Sequence, residues 1–318
     1  MKKIIITGGA GFIGSNLVDI LSKKKLKITV LDNLTTGFKK HLNISKNVKF
    51  LKCNLLEKEK LKKIFKGHDF VFHFAANADI KDGLKHPRKD LEQNAIVTFN
   101  VLEAMRFNKI KKIVFTSTAP VYGNTNEFPT KENAAMSYQT SLYGASKLYC
   151  EGLISSYCEG YEFQSWIFRF VSILGPRYSH GHVYDFVKML LKDSSKLPVL
   201  GNGKQRKSYI HVYDCINAIL FAIKNSKDSV NIFNLGHNNY INVNKSIDII
   251  SQIMNCNPQL IYSGGSSGWV GDLPFVFLDN KKIKKTGWKP KLSIEESIKQ
   301  TTNWLLENHW IFSERKNK

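Results

Sequence analysis

The 318-residue sequence has little cysteine and no apolar run long enough to cross a membrane. Its five cysteines are scattered and form no C-x-x-C pair, which argues against a disulfide framework and is typical of a reduced compartment. No stretch approaches the ~20 apolar residues that span a bilayer, and no signal peptide precedes the first predicted strand. No cluster of His, Cys, Asp or Glu has metal-ligand spacing. We therefore expect a soluble, cytoplasmic protein with no metal and no membrane partner.

Acidic residues are also scarce, since the chain has 26 Asp and Glu against 47 Lys and Arg and a formal net charge of +21. Lysines carry most of this charge and lie at the ends and outer faces of predicted helices, where solvated lysine is ordinary. Arginine is scarce, and the lysines do not alternate with exposed aromatic residues as they would in a nucleic-acid groove. We expect no nucleic-acid partner. Tight, salt-sensitive nucleic-acid binding would indicate the alternative, a protein that binds anions through its surface charge.

A glycine-rich turn follows the first apolar run of the chain. The run Ile4–Ile6 predicts a buried parallel strand, and the residues after the turn have the spacing of an amphipathic helix. Glycine at a strand-to-helix turn allows a tight bend, close approach of a pyrophosphate and close packing of helix on strand. The helix N-terminus then attracts the anion. The glycines concerned are Gly8, Gly11 and Gly14.

A second predicted strand, Ile28–Leu31, ends in Asp32, eighteen residues after Gly14. A carboxylate at this place bonds the adenosine ribose hydroxyls and repels a 2′-phosphate. The turn and the acid together predict a site for NAD rather than NADP.

Predicted strands and helices alternate through the first half of the chain, and the hydrophobic content of 42% is a globular value. This pattern predicts an α/β fold with a doubly wound parallel sheet of the Rossmann type, which binds its ligand at the carboxyl ends of the strands. Five residues at those ends are therefore expected in one crevice: Gly8, Asp32, Asn54, Ala75 and Thr116. Beyond residue 171 the alternation fails. We predict an NAD-binding domain over 1–171, with 212–240 returning to it, and a smaller α/β substrate-binding lobe over 172–318.

Tyr143 and Lys147 are four residues apart at the start of a predicted helix, so they share one face. A tyrosine of pKa ~10 must lose ~3 units to act as a base near neutrality, which needs about 4 kcal/mol of cationic stabilisation. We expect the Lys147 ammonium and a positive nicotinamide ring to supply it, and Lys147 to hold the nicotinamide ribose. Thr118, at the end of the fifth predicted strand, offers a hydroxyl to the same substrate oxygen. These three are the candidate catalytic residues.

In this order, the motifs resemble the extended short-chain dehydrogenases/reductases of the NAD-dependent sugar epimerase/dehydratase family, and within it the UDP-glucose 4-epimerases. The resemblance runs nearly end to end. It implies a nucleotide-sugar substrate, whose two negative charges the positive field would attract, and a homodimer formed by the long helices predicted at 91–108 and 143–159. Together with the turn and the strand ends, it predicts a cofactor-binding set: Gly8, Gly11, Phe12, Ile13, Gly14, Asp32, Asn33, Gly37, Asn54, Leu55, Phe74, Ala75, Ala76, Asn94, Thr116, Tyr143, Lys147 and Phe170. The substrate-binding set that it implies is Thr118, Ser172, Val199, Gln205, Lys207, Trp269 and Asp272.

Several positions depart from the pattern of this family. The family commonly has Asp at Asn54, Asn at Ser172 and an Arg-Asp pair at Lys207-Ser208, and Trp269 stands where an arginine is usual. Lysine keeps the positive charge but loses the bidentate fork of arginine. We therefore expect the nucleotide contacts to be shared differently among the residues of this chain.

The choice of reaction rests on the triplet Thr118-Ala119-Pro120. The 4,6-dehydratases of the family resemble Thr-Asp-Glu here, because elimination of water needs an acid and a base beyond the tyrosine. Ala119 and Pro120 have no titratable atoms, so the resemblance favours a C4 epimerase of the UDP-glucose/UDP-galactose type. The alternatives left open are a 4,6- or 5,6-dehydratase, a decarboxylase, a 4-ketoreductase, and an NAD-binding module without activity. Val276 is intermediate in size where related epimerases have a large tyrosine or a small residue, which leaves N-acetylated sugars open.

Three histidines are not assigned to the chemistry. His73 lies within an apolar strand and is expected to be a core residue with satisfied hydrogen bonds. His180 and His182 flank Gly181 in a predicted loop near the expected sugar, and we expect no catalytic role for either.

Overall fold

The computed structural model describes residues 2–77, 79–266, 268 and 273–316, so Trp269 and Asp272 of the predicted substrate set lie outside the described residues. The strands are β1 (Lys3–Thr7), β2 (Lys27–Asp32), β3 (Val48–Lys52), β4 (Phe70–His73), β5 (Lys112–Thr118), β6 (Gln164–Phe170), β7 (Ser172–Leu174), β8 (Lys196–Val199), β9 (Arg206–Lys207), β10 (Tyr209–His211), β11 (Val230–Leu235), β12 (Ile241–Asn242), β13 (Gln259–Tyr262) and β14 (Phe275–Val276). The helices are α1 (Phe12–Ser22), α2 (Lys58–Phe65), α3 (Ile80–Lys85), α4 (Pro87–Asp90), α5 (Val97–Phe107), α6 (Leu142–Tyr161), α7 (His182–Lys192), α8 (Val212–Asn225), α9 (Val243–Ile253), α10 (Lys281–Lys284), α11 (Ile294–Glu307) and α12 (Trp310–Lys316).

Seven strands form one parallel sheet in the order β3-β2-β1-β4-β5-β6-β11. The predicted doubly wound sheet is therefore confirmed. The chain runs outward from β1 to β3 and then crosses back to place β4 on the other side of β1. A ligand crevice forms at such a switch point, beyond the carboxyl ends of the strands. The N-terminus of α1 and the segment after β4 both begin there.

Both faces of this sheet are covered, which explains why its strands are continuous apolar runs rather than alternating ones. Ile4 and Ile6 lie in the core cluster formed with α1 and α8, whereas Ile5 lies in the cluster formed with α5 and α6. Cys150 and Cys158 of α6 are buried in the second cluster. The sheet thus forms the rigid base from which the loops of the crevice extend.

A third core cluster is built mainly by α7, α9, α11 and short strands of the second half. These strands pair in small groups, β7 with β10, β8 with β13, and β12-β9-β14. This arrangement explains why the strand–helix alternation fails after β6. Strand β11 pairs with β6 and so belongs to the large sheet. The division of the chain at 171/172 stays a prediction.

Some element boundaries differ from those expected. The helix predicted over 91–108 is divided into a π-helical turn (Leu91–Ile96) and α5, and α4 directly precedes it. The short helices α3 and α12 were not predicted, because six or seven residues are too few to show a clear apolar period. Among the described helices, none is long and apolar enough to span a bilayer.

A buried ion pair fastens α6 to the sheet. Arg169 of β6 donates from Nη2 to Glu151 Oε2 of α6 at 2.7 Å, and both side chains are 4% exposed. Arg169 Nε donates to both Glu151 oxygens at 3.1 Å, and the Ser117 hydroxyl of β5 donates to the same carboxylate. Because α6 also carries Tyr143 and Lys147, these bonds fix the two candidate catalytic residues relative to the ends of β5 and β6.

We predict that Glu151→Ala lowers the free energy of unfolding by about 3–5 kcal/mol, because it leaves the Arg169 guanidinium buried and unpaired. Equilibrium urea unfolding followed by circular dichroism measures this change. Glu59→Ala is the matched control, because it breaks an exposed helical pair with Lys62 and is expected to give no measurable change. Equal effects of the two substitutions would contradict the anchoring role of Glu151.

Candidate functional site

The glycine turn between β1 and α1 has no room for side chains. A Cβ at Gly8, where φ is +68°, would lie 2.6 Å from the Ala75 nitrogen, and one at Gly14 would lie 2.3 Å from the Gly8 oxygen. Gly11 is the N-cap of α1 and no side chain caps this end. The amides of the first turn of α1 therefore have no cap partner and can bind an anion.

Asp32 fastens the glycine turn to the loop after β2. Its Oδ2 accepts from the Ala10 amide at 3.0 Å, and its Oδ1 accepts from the Leu34 amide at 2.8 Å. The Phe38 amide donates to the Ala10 carbonyl at 2.9 Å, so the loop folds back against the turn. A Cβ at Gly37 would lie 2.9 Å from the Ala10 carbonyl carbon. The acid predicted to bind ribose thus also shapes the loop around that place.

His73 holds the end of β4 from within the core, as expected for a satisfied histidine. Its Nδ1 lies 2.7 Å from the Thr7 hydroxyl and its Nε2 lies 3.0 Å from the Thr98 hydroxyl. Thr7 Oγ1 also accepts from the Phe74 and Ala75 amides at 3.2 Å each. Burial, with a smaller contribution from the nearby Lys147 charge, lowers the pKa of His73 to about 3, so this ring is neutral.

The three candidate catalytic residues lie at the carboxyl end of β5 and in the first turns of α6. The hydroxyl of Thr118, the last residue of β5, lies close enough to the Tyr143 phenol to lower its pKa. Lys147 is 2% exposed, and its Nζ donates to the Thr116 carbonyl at 2.9 Å and lies 4.6 Å from the centre of the Phe115 ring. Burial lowers the pKa of the Lys147 ammonium to about 8.

Burial dominates the acidity of the Tyr143 phenol. It raises the pKa of Tyr143 to about 12, although the Thr118 hydroxyl acts to lower it. The Asp90 carboxylate raises it further. Lys147, which is expected to lower this pKa together with a nicotinamide ring, directs its ammonium to the Thr116 carbonyl. The chain by itself therefore keeps the phenol protonated at neutral pH.

A buried network that the sequence analysis missed connects the segment after β4 to α6. Asn94 accepts from the Asn77 amide at 2.8 Å through Oδ1 and donates from Nδ2 to Ser146 Oγ at 2.9 Å and to Asp90 Oδ1 at 3.3 Å. Ser146 in turn donates to the Tyr143 carbonyl at 2.8 Å. The Asn94 side chain, predicted to contact the cofactor, is thus engaged with protein groups and 1% exposed. The four-residue spacing of Asp90 and Asn94 was the available sequence signal.

The other members of the predicted cofactor set differ in exposure. Leu55 and Phe170 are buried in the core clusters. Asn54 is exposed, and its Oδ1 accepts from the Leu56 amide at 3.1 Å. The remaining members are partly exposed along the strand ends and the glycine turn: Phe12, Ile13, Asn33, Phe74, Ala75 and Ala76. These partly exposed residues are the ones that can line the crevice.

The described members of the predicted substrate set are spread over several short strands. Ser172 is exposed, whereas the Val199 side chain lies in the third core cluster. Gln205 is buried and donates to the Leu200 carbonyl at 3.1 Å. Lys207 of β9 is in register with Val276 of β14.

A cavity of about 210 Å³ opens beside the end of β5, lined in part by Ala119, Gly123, Phe275 and Val276. Its lining begins at Ala119, the residue that follows Thr118 in the chain. Burial, with a smaller contribution from Lys207, lowers the pKa of His182 to about 3, which gives this ring no positive charge near neutrality. Among the described residues, no three His, Cys, Asp or Glu side chains are grouped to hold a metal ion.

Comparison with known proteins gives matches along nearly the whole chain. The sequence model of the NAD dependent epimerase/dehydratase family matches residues 4–236. A Methanocaldococcus jannaschii protein, provisionally named UDP-glucose 4-epimerase, is 34% identical over 312 residues, which cover 96% of this chain and 99% of that protein. A Bacillus cytotoxicus UDP-N-acetyl-alpha-D-glucosaminuronate decarboxylase is 29% identical over 96% of this chain and 98% of its own length. The structure of a Thermus thermophilus UDP-glucose 4-epimerase in complex with NAD has a TM-score of 0.86 and 29% identity, over 96% of this chain and 99% of that chain.

Proposed function

This chain belongs to the NAD-dependent epimerase/dehydratase family, and we propose that it inverts C4 of a nucleotide-activated hexose of the UDP-glucose/UDP-galactose type. The observation that carries the proposal is the meeting of Tyr143, Thr118 and Lys147 at the ends of β5 and α6. Ala119 and Pro120, which follow Thr118, have no titratable side chains. At these two described positions the chain therefore lacks the acid and the base expected of a 4,6-dehydratase.

NAD is the cofactor of this family, and the residues of the crevice fit it. Side chains are excluded at Gly8 and Gly14, the amides of α1 are available to a diphosphate, and the Asp32 carboxylate lies beside the turn. When bound, NAD supplies the acceptor for a hydride from sugar C4 and the donor that returns it. In this proposal the partly exposed residues of the predicted cofactor set contact NAD, whereas Asn94 acts by positioning its neighbours.

Tyr143 carries the proton in the proposed mechanism. As phenolate it removes the C4 hydroxyl proton, the 4-keto sugar turns over while its nucleotide stays anchored, and Tyr143 returns the proton on the other side. Lowering the pKa of this phenol from about 12 to a neutral value requires about 7 kcal/mol of cationic stabilisation of the phenolate, which is more than the sequence analysis assumed. The value of about 12 already includes the lowering by Thr118, so this stabilisation must come from positive charge that accumulates beside the phenol in the loaded site.

Nucleotide sugars offered singly, with separation of epimers and measurement of product mass, test this function. We expect a C4 epimer of unchanged mass. Tyr143→Phe is expected to retain NAD and to lower turnover by about a hundredfold or more, as general acid–base catalysis contributes. Tyr161→Phe, at the exposed end of the same helix, is the matched control.

Other products would identify the other reactions of the family. Loss of one water indicates a dehydratase, loss of carbon dioxide from a uronic acid substrate indicates a decarboxylase, and no product with any sugar indicates a binding module. Turnover of N-acetylated hexoses shows whether the pocket beside Val276 admits the acetyl group. Unchanged turnover in Tyr143→Phe would contradict the assigned base.

A second prediction concerns Thr118, whose hydrogen bond lowers the Tyr143 pKa. Thr118→Val raises that pKa, so fewer phenolates form at pH 7 and we expect turnover to fall by about tenfold there. The deficit should shrink as pH rises, because the phenol then ionises without help. Thr118→Ser keeps the hydroxyl and is expected to restore the pH profile. A deficit that is the same at every pH would contradict this role.

We also propose a homodimer formed through α5, α6 and the π-helical turn. Large apolar side chains are exposed on this face, among them Leu91, Phe99, Leu142 and Tyr149, and they line a groove of about 540 Å³. Contiguous apolar patches of this kind mark interaction sites. The resemblance to the sugar epimerase/dehydratase family implies that a second copy of this chain covers this face.

We expect Phe99→Asp to halve the mass measured by sedimentation equilibrium, because it places a charge in the middle of this face. Phe221→Asp, on an exposed position of α8, is the matched control and is expected to leave the mass unchanged. A single-chain mass for the unsubstituted protein would contradict the dimer.

A further inference from the structure

The C-terminal helix α12 lies between the loop after β2 and the second half of the chain. On one side, the Trp310 ring is 5.4 Å from Phe38, and Glu314 forms an ion pair with Lys40. On the other side, the Phe312 ring is 5.0 Å from Tyr184 of α7. Helix α12 therefore contacts both α7 and the loop after β2, which is the loop that Asp32 anchors.

The two surfaces that α12 connects flank the glycine turn. Gly37 packs against Ala10, the residue before the N-cap of α1. Tyr178, which lies in the same core cluster as Tyr184, contacts Phe12, the first residue of α1, with ring centres 5.5 Å apart. The turn proposed to hold the cofactor diphosphate thus contacts both the loop after β2 and the segment that leads into α7.

Arg315 is the cation that α12 brings to this place. It is partly buried, and its Nη1 donates to the Thr36 carbonyl at 3.2 Å, next to Gly37. Its charge also reaches His180, two residues beyond Tyr178, where desolvation and then Arg315 lower the histidine pKa. The guanidinium is therefore close to both walls of the crevice.

Arg315 differs from the buried Arg169 and the partly buried Arg177 in having no carboxylate of the described residues paired with it. Arg169 is paired with Glu151 at 2.7 Å and Arg177 with Asp19 at 2.6 Å. No carboxylate in the described part of the chain lies within 4.0 Å of the Arg315 nitrogens. A cation withdrawn from water without a partner costs free energy. Burial indeed lowers the pKa of Arg315, although Tyr184 and the more distant Asp79 act to raise it.

We propose that Arg315 is a further cofactor-binding residue, which donates to phosphoryl oxygens of the dinucleotide and holds α12 across the crevice as a strap that retains NAD. This inference rests on the proposed function, in which NAD is regenerated in each cycle and has to stay bound. The planar guanidinium suits a phosphate geometrically. With Nη1 bound to Thr36, its other N–H groups remain for an anion that the described residues do not supply.

The rate of NAD release from the purified, NAD-loaded protein tests the strap without using activity. In Arg315→Met we expect release to be about ten- to a hundredfold faster, as the loss of a charge-assisted hydrogen bond gives. Arg315→Lys keeps the charge without the fork and is expected to fall between. Lys39→Met removes the same charge from the neighbouring loop, where Nζ lies over the Phe50 ring, and is expected to match the unsubstituted protein.

The possible outcomes separate failure of the Arg315 proposal from failure of the proposed function. Release at the original rate in Arg315→Met, from protein that holds NAD and unfolds at the original temperature, contradicts the strap alone. An effect on NADP binding with none on NAD assigns the guanidinium to a 2′-phosphate and also overturns the proposal. If the unsubstituted protein binds no NAD, the proposed function fails and the strap fails with it.

Discussion

Backbone contact at the switch point of the sheet determines where every other part of the site can lie. Gly8 touches the Phe74–Ala75 backbone and Gly14 touches Gly8, so β1, α1 and the segment after β4 are in van der Waals contact. A side chain at either glycine would push α1 away from the sheet. The N-terminus of α1 would then no longer face the crevice, and the loop that Asp32 ties to Ala10 would move with it.

Burial has opposite effects on the pKa values of the two ionisable candidate catalytic residues. It raises the pKa of Tyr143 to about 12 and lowers that of Lys147 to about 8, so near neutrality the pair is a neutral phenol beside an ammonium. In the proposed mechanism the phenolate therefore forms only when further positive charge reaches the site. Proton removal would then depend on the presence of the hydride acceptor, because the same assembled complex provides both.

Local patterns in the sequence were sufficient for the sheet, the glycine turn, Asp32 and the face shared by Tyr143 and Lys147. The sequence pattern that predicts each of these features extends over about twenty residues or fewer. The buried bonds that support the site join distant segments, such as Asn94 with Ser146 and Glu151 with Arg169. Periodicity contains no information on such pairs.

The same limit explains what the sequence analysis left out. The burial that raises the Tyr143 pKa is not readable from the neighbours of this phenol along the chain. The protein partners of Asn94, a predicted cofactor contact, were likewise unknown. The role of α12 was invisible for the same reason, since Arg315 meets Thr36 only after the whole chain has folded.

The position of β11 has a consequence for how the chain acquires its fold during synthesis. This strand, Val230–Leu235, covers the edge of β6, whereas the rest of the large sheet is complete by Phe170. A nascent polypeptide that has left the ribosome only as far as β6 presents an unpaired strand edge, which is a template for intermolecular pairing. The first 171 residues are therefore poorly suited to isolation as a fragment, because closure of their sheet waits for a segment translated some sixty codons later.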